Sequence, residues 1–300
     1  MKYRCYIIED EISGNKRGQK RIFWTIILTI SICFIEFIGG IIAKSNALIA
    51  DAGHMLTDSA TLFICYFAFL ISGQKADSNK TYGYFRAEIL ASLINSGFLI
   101  LLSLYIIYSA IKRYNDPVQI DGVMMFVISS VGLIANIIGL LLLRNYISNL
   151  NVRAALFHIV GDTIFSFGVV IGAILIIFTG IMFIDSILSV VIGGVILFNA
   201  IKLVKSATDI LMESVPSDLK INEIILDIKT NIEGIKDIHD VHIWSISSGI
   251  YIFTAHIVTD RSLLAESDKI ISNVSLLLKE KYNIKHTTIQ VETESLLSCR

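Results

Sequence analysis

The chain has 300 residues and a formal net charge of -1 at pH 7, so no overall positive charge favours a nucleic-acid partner. Hydrophobic residues make up 54% of it and charged residues 17%, whereas soluble domains carry about 25% charge. Four scattered cysteines without a paired spacing argue against a disulfide-stapled framework. The composition predicts a membrane protein whose charge deficit lies in residues 22–204, followed by a tail of ordinary soluble composition.

Six segments are apolar over enough residues to cross a bilayer as helices, which takes about 20 residues. They cover residues 22–43, 47–72, 87–111, 120–143, 152–178 and 185–204. The polar, acidic start of the chain differs from a secretory signal, so we expect the first apolar segment to be a permanent span. The predicted domains are a cytosolic N-terminal segment (1–21), a transmembrane domain (22–205) and a cytosolic domain (206–300).

Lysine and arginine at the segment ends indicate the orientation, because they concentrate on the cytoplasmic side of a membrane. If the N-terminus is inside, only Lys44, Lys112 and Arg113 flank the outer side, and the larger number of basic residues flanks the inner side. We therefore expect a multi-pass protein of the cytoplasmic membrane, with both termini in the cytoplasm.

The tail alternates between helical and strand patterns. Helical periodicity covers 218–233 and 264–282, and strand-like segments cover 238–247, 250–259 and 286–292. Ser248-Gly249 suits a hairpin turn between the first two strands. The order α-β-β-α-β predicts an open-faced, ferredoxin-like α+β domain. The fold expected for the whole chain is an integral membrane all-α bundle of six transmembrane helices, followed by this cytosolic domain.

Two His-x-x-x-Asp motifs lie inside predicted membrane helices, His54 with Asp58 in the second and His158 with Asp162 in the fifth. Ionisable side chains inside a bilayer are costly and mark a functional site by default. Residues four apart share one helix face, and a rise of about 1.5 Å per residue places both motifs near the middle of the membrane. Two nitrogen and two oxygen ligands from packed helices suit a tetrahedral Zn²⁺ site.

The same four residues predict exchange with protons. Two carboxylates compensate the charge of a divalent ion, and without the ion two desolvated carboxylates do not easily both stay ionised. Metal binding then displaces protons. The alternative is that each motif only joins helices through hydrogen bonds, which two copies at matching depth disfavour. Glu36 and Asp51, also in membrane segments, could line an aqueous path.

The remaining four of the six histidines all fall in the tail, which suggests a second, cytosolic metal site. The tail residues with metal-binding side chains are His239, His242, His256 and His286, with Glu292 and Cys299 close behind in sequence. The alternative is that some of these histidines are ordinary surface or core residues.

The chain resembles the cation diffusion facilitator family, in particular its zinc-transporting branch. The resemblance rests on five stretches in family order, covering most of the chain beyond residue 20. They are ALIADAGHMLTDSATLF (47–63), KTYGYFRAEILASLIN (80–95), LNVRAALFHIVGDTIFSFGVV (150–170), HDVHIWSISSG (239–249) and HTTIQVE (286–292).

This resemblance implies six transmembrane helices, a cytosolic αββαβ domain and a homodimer. It also implies export of Zn²⁺ by alternating access in exchange for protons. The family's intramembrane site corresponds to His54, Asp58, His158 and Asp162. In the tail, His239, His256 and Glu292 match positions that bind metal in some relatives. Phe85 and Gln290 stand where some relatives have a ligating histidine, so a further loop site and a full binuclear tail site are not expected from the resemblance.

Two other classes of function remain as alternatives. A membrane-anchored metal sensor would explain the tail histidines but not the buried motifs. An intramembrane metalloenzyme would need an open metal position and a general base, and the sequence has no His-Glu-x-x-His motif. We therefore expect a transporter, not an enzyme, that uses Zn²⁺ as cargo and as a regulatory ligand and needs no organic cofactor. Within transport, Cd²⁺, Co²⁺, Ni²⁺ and Fe²⁺ remain alternative substrates.

Overall fold

The computed structural model describes residues 16–56, 78–143, 150–247 and 249–293. The chain divides into two compact units. The membrane unit lies within residues 1–63 and 95–201, and the C-terminal unit lies within residues 64–94 and 202–300. Each unit has its own apolar core.

The long helices follow the predicted membrane segments. They are α1 (Lys16–Ala43), α2 (residues 46–56), α3 (Arg86–Asn115), α4 (Gly122–Leu143), α5 (Leu150–Thr179) and α6 (Phe183–Leu211). Among the described residues, α3 to α6 are long and apolar enough to cross a membrane, and Ile30–Ala43 of α1 is a shorter apolar stretch. The rest of the predicted second segment, residues 57–72, lies outside the described residues.

Large apolar side chains cover the outer surfaces of these helices, as a lipid solvent requires. The exposed residues include Phe34, Ile38, Phe98, Tyr105, Phe167 and Phe198. Small residues mark the close helix approaches inside the unit. At Gly40 of α1, an added Cβ would lie 2.7 Å from Ile49 Cγ1 and 3.0 Å from the Ile49 backbone nitrogen. A glycine at residue 40 therefore allows α1 to lie close to α2.

A buried aspartate ties the start of α6 to the start of α2. Asp185 Oδ1 accepts hydrogen bonds from Ser45 Oγ at 2.5 Å and from the Ala47 backbone N–H at 3.2 Å. Asp185 Oδ2 accepts from the Asn46 backbone N–H at 2.9 Å, and the Leu48 N–H donates to Ser45 Oγ at 3.1 Å. The first N–H groups of a helix have no partner within the helix, so this carboxylate satisfies the start of α2 from a distant part of the chain.

The C-terminal unit contains the predicted α-β-β-α-β order. Its elements are α7 (Ile221–Asn231), β1 (Ile235–Ser247), β2 (Ile250–Thr259), a 3₁₀ turn (Arg261–Glu266), α8 (Ser267–Tyr282) and β3 (His286–Glu292). The strand order is β1-β2-β3, antiparallel between the first two and parallel between the last two. Both helices place apolar residues at four-residue spacing into one core, with Ile224 and Ile228 from α7 and Val274 and Leu278 from α8. The predicted α+β architecture is confirmed.

Element ends differ from the prediction by a few residues. Helix α7 begins at Ile221 and not at residue 218, because a turn with a hydrogen bond from Leu219 N–H to Pro216 O precedes it. Strand β1 begins at Ile235, just after Gly234 with φ 86°. A positive φ favours glycine and marks the turn out of α7.

Asp227 joins the two helices of this unit. Its carboxylate accepts hydrogen bonds from Lys281 Nζ and Tyr282 Oη on α8. The Lys281 hydrogen bond, followed by that of Tyr282, lowers the pKa of Asp227. Desolvation and the hydrogen bond to Asp227 raise the pKa of Tyr282 to about 12.

Candidate metal sites

The structure brings together one residue from each membrane motif. His54 Nε2 on α2 lies 3.8 Å from Asp162 Oδ1 on α5, and Asp162 is buried. The His54 ring also contacts Phe165 edge-on, with 5.5 Å between ring centroids. Ligands about 2.0–2.1 Å from a tetrahedral metal lie about 3.4 Å apart. The His54 and Asp162 atoms are therefore spaced closely enough to share one ion after a small movement.

The other two predicted ligands are only partly covered by the structure. His158 is a residue of α5, one helical turn before Asp162. Asp58 falls within residues 57–77, outside the described residues. The assignment of His158 and Asp58 as metal ligands stays a prediction.

A chain of hydrogen bonds connects three helices beside this pair. Asn136 Nδ2 on α4 donates to Ser166 Oγ on α5 at 3.2 Å, and Ser166 Oγ donates to Asp51 Oδ2 on α2 at 2.9 Å. All three residues are buried. Asn136 therefore joins α4 to α5 by a hydrogen bond between side chains.

The C-terminal unit holds a cluster of three metal-binding side chains. One ligand atom each from His239, His256 and Glu292 lies within 4.8 Å of the other two. His256 Nδ1 is 2.8 Å from Glu292 Oε1, and His239 Nε2 is 3.5 Å from Glu292 Oε2. Two imidazoles and one carboxylate suit Zn²⁺ and other borderline transition metals.

Strand register explains how these three residues meet. His239 and His256 are direct cross-strand partners in the antiparallel β1–β2 pair, with ring centroids 5.3 Å apart. His256 faces Gln290 in the parallel β2–β3 pair, and Glu292 is two residues further along β3. Residues two apart on a strand share a face, so Glu292 reaches the two histidines diagonally. Gln290 Nε2 donates to Glu292 Oε1 at 2.7 Å and orients the carboxylate.

Asp240 is a neighbour of the cluster that the sequence did not predict. The β1–β2 register shifts between His239 and His242, and Asp240 has φ 51°. Such bulges re-aim side chains next to functional sites. Asp240 Oδ2 lies 3.7 Å from His256 Nε2, and Asp240 Oδ1 lies 3.2 Å from His242 Nε2. The acidic residue between two histidines in the sequence was the available signal, but the bulge was not predictable from it.

Among the described tail candidates, His242 and His286 are not part of this cluster. His242 is 63% exposed and contacts Asp240. His286 is exposed, and its ring packs edge-on against Tyr82 at 5.9 Å between centroids. Cys299 lies outside the described residues. The ligand roles suggested for these three residues stay predictions.

Comparison with known proteins identifies the family. Residues 22–212 match the family model of the cation efflux transmembrane domain, which covers more than half of the chain. The chain belongs to the cation efflux family. Residues 216–294 match a second model of this family, described as the cation efflux protein cytoplasmic domain. The predicted boundaries after residues 21 and 205 stay a prediction.

Several members of the cation efflux family are similar over nearly the whole chain. A cadmium, cobalt and zinc/H⁺-K⁺ antiporter of Bacillus subtilis is 40% identical over 286 residues, covering 94% of this chain and 91% of the relative. The zinc transporter ZitB of Pectobacterium atrosepticum is 36% identical over 283 residues, covering 93% and 86%. A solved structure of the metal-bound C-terminal domain of the CzcD transporter from Cupriavidus metallidurans is 32% identical and covers 25% of this chain and 99% of that chain, with a TM-score of 0.23.

Proposed function

We propose that this cation efflux protein exports a divalent transition metal, Zn²⁺ above all, from the cytoplasm in exchange for protons. The observation that carries the proposal is the 3.8 Å approach of His54 on α2 to Asp162 on α5 inside the membrane unit. Relatives that are 40% and 36% identical are named as antiporters or transporters of zinc, which supports the same activity here.

The choice of zinc rests on the donor atoms. His54, Asp58, His158 and Asp162 offer two nitrogen and two oxygen ligands, which complete a tetrahedral Zn²⁺ site without an open position. Such a closed site suits binding and release and leaves no place for a catalytic water, so we propose transport and not enzymatic catalysis. Imidazole ligands favour borderline metals over hard ones. Cd²⁺ and Co²⁺, named for the Bacillus subtilis relative, are the second candidates.

Proton coupling follows from the charge of the site. With zinc bound, two aspartates and the divalent ion approach neutrality. Without zinc, carboxylates in a low-dielectric interior favour protonation, so zinc entering from the cytoplasm releases protons and protons entering from outside expel zinc. Rocking of the helices around a fixed site would open the site alternately to the cytoplasm and to the outside.

The orientation and assembly complete the proposal. The protein would lie in the cytoplasmic membrane with both termini in the cytoplasm, because the basic residues at the segment ends favour the cytoplasmic side.

The C-terminal family is named ZT_dimer, which supports a homodimer. The cluster of His239, His256 and Glu292 would bind cytosolic zinc as a regulatory ligand and favour transport when cytosolic zinc rises.

The test is uptake of radioactive zinc into proteoliposomes with and without a pH gradient. Wild-type protein should accumulate zinc when the lumen is acidic, and Asp162→Ala should abolish this accumulation. Asp116→Ala, which changes an exposed aspartate of the same unit, is the matched control and should keep it. Competition by Cd²⁺, Co²⁺ and Mn²⁺ ranks the substrates. Well-folded protein that binds zinc in the tail without any flux would contradict the proposal and favour the sensor.

A further inference from the structure

Glu36 is a buried carboxylate that the metal site does not use. It lies on α1 with no solvent exposure, and within the described part of the chain neither carboxylate oxygen has a hydrogen-bond partner. Its place is made by a glycine of α4, because a Cβ added at Gly132 would lie 1.8 Å from Glu36 Oε1. The Glu36 carboxyl group thus occupies the space that a side chain at residue 132 would otherwise fill.

Asp51 is a second carboxylate of the same interior. It is fully buried on α2, and its Oδ2 accepts only from Ser166 Oγ among the described residues. Its Oδ1 is buried without a partner in the described part of the chain. Asp51 also lies three residues before His54, so the two side chains are neighbours on one face of α2.

No cation among the described residues compensates these two carboxylates. Among the described residues, the titratable groups that interact electrostatically with Glu36 are Asp51 on α2, Asp162 on α5 and Cys33, three residues away on α1. His54, next to Asp162, is a further titratable residue in the described part of this region, and α4 contributes the neutral Gly132 and Asn136. Buried charges are paired, coordinate a cation or become neutral.

The surroundings of Glu36 and Asp51 favour a proton, rather than a metal ion or an alkali ion, as the cation that neutralises the two carboxylates. Hard cations such as Ca²⁺ need about six to eight oxygen ligands. Here Asp51 Oδ2 accepts from the Ser166 hydroxyl, and in the described part of the chain Asp51 Oδ1 and both Glu36 oxygens have no hydrogen-bond partner. A proton needs no coordination shell and makes a carboxyl group neutral.

We propose that Glu36 and Asp51 form a proton-carrying carboxylate pair, separate from the four metal ligands, that supplies part of the counter-ion in zinc exchange. This inference rests on the proposed function. When Zn²⁺ reaches His54 and Asp162, its charge favours loss of protons from the pair to the cytoplasm as each carboxylic acid becomes a carboxylate. When Zn²⁺ leaves, the carboxylates accept protons from the outside and become neutral again.

The first test counts protons. Purified full-length His256→Ala protein, whose tail cluster lacks one ligand, should release protons from the membrane site as zinc is added in weakly buffered detergent solution. Adding Glu36→Gln or Asp51→Asn to this protein should lower the release by about one proton per zinc while zinc still binds. In proteoliposomes each coupled proton multiplies zinc accumulation by about tenfold per pH unit of gradient. Glu36→Gln should therefore lower the accumulation ratio by about tenfold at a gradient of one pH unit and keep uptake driven by zinc alone.

A second variant keeps Glu36 itself and displaces it. Gly132→Ala should lower proton release and accumulation as Glu36→Gln does, because its Cβ occupies the space of the carboxylate. Gly194→Ala is the matched control, because a Cβ there meets nothing within 4 Å. Wild-type proton counts in all the carboxylate variants would overturn the proposal, and so would loss of zinc binding from the membrane site in Glu36→Gln. A wild-type protein that ignores the pH gradient would instead refute the proton coupling of the proposed function.

Discussion

Replacement of Asp185 by alanine should destabilise the membrane unit strongly without touching a metal ligand. The carboxylate is fully buried and accepts hydrogen bonds from Ser45, Asn46 and Ala47 at 2.5, 2.9 and 3.2 Å. Its loss leaves two backbone N–H groups at the start of α2 and one hydroxyl without their acceptor.

The expected magnitude follows from these bonds. A hydrogen bond to a charged group contributes about 1.5–3 kcal/mol, but alanine also relieves the desolvation of the buried carboxylate. We expect Asp185→Ala to cost about 3–5 kcal/mol, because each of the three donors left without an acceptor costs about 1–3 kcal/mol and the relieved desolvation offsets part of the sum. Asp185→Asn keeps one acceptor oxygen and should cost about half as much. Asp121→Ala removes an exposed cap, in which Asp121 Oδ1 accepts from the Met124 N–H at 2.9 Å, and should cost about 1 kcal/mol.

Thermal unfolding of the purified full-length variants in detergent, monitored by circular dichroism, measures the relative stability of the three variants. Asp185→Ala should lower Tm by roughly 10 °C, since about 2–4 °C is expected per kcal/mol in units of this size. Asp185→Asn should fall between Asp185→Ala and Asp121→Ala. Equal losses of Tm in Asp185→Ala and Asp121→Ala would refute the reasoning that the buried carboxylate holds α2 to α6.

Three further predictions concern other parts of the chain. His256→Ala should lower the zinc stoichiometry by one per chain, because it removes one of the three clustered ligands, whereas His286→Ala should leave the stoichiometry unchanged. Isothermal titration of the full-length protein measures the stoichiometry, and equal values in the two variants would contradict a metal site at the cluster. The raised pKa of Tyr282 means that its contribution to stability is full below pH 10 and is lost as the pH rises through about 12. In an absorbance titration, Tyr282→Phe should lose a tyrosine that ionises near pH 12, and loss of a tyrosine that ionises near pH 10 would contradict the prediction. Gly40→Ala should lower the free energy of unfolding by about 1–3 kcal/mol through overpacking, whereas Gly97→Ala, whose Cβ meets nothing within 4 Å, should not lower it. Equal Tm values for the two variants would contradict this prediction.

The sequence predicted the elements that depend on local periodicity. Long apolar runs identified the membrane helices, and a spacing of four residues placed Asp162 on a face of α5 that can meet His54. Alternation in HTTIQVE identified β3 and put Glu292 near the tail histidines. These features were predictable because they depend on residues within one or two turns of each other.

Features that depend on distant partners were not predictable. Asp185 is separated from Ser45 by 140 residues, and nothing near it in sequence signals its role at the start of α2. The space for the Glu36 carboxylate is made by Gly132 on another helix. Asp240 reaches His256 only because β1 bulges, and a bulge depends on the partner strand. Each of these contacts is set by tertiary packing.

The most direct test of the account is the zinc environment in the membrane unit. Full-length His256→Ala, which lacks the tail cluster, should still bind one zinc per chain, with four nitrogen or oxygen ligands at about 2.0–2.2 Å by X-ray absorption. Adding either His54→Ala or Asp162→Ala should eliminate this bound zinc, because α2 and α5 each hold the same ion. Zinc binding that survives both substitutions, or a spectrum with sulfur ligands, would contradict a transport site built by these two helices.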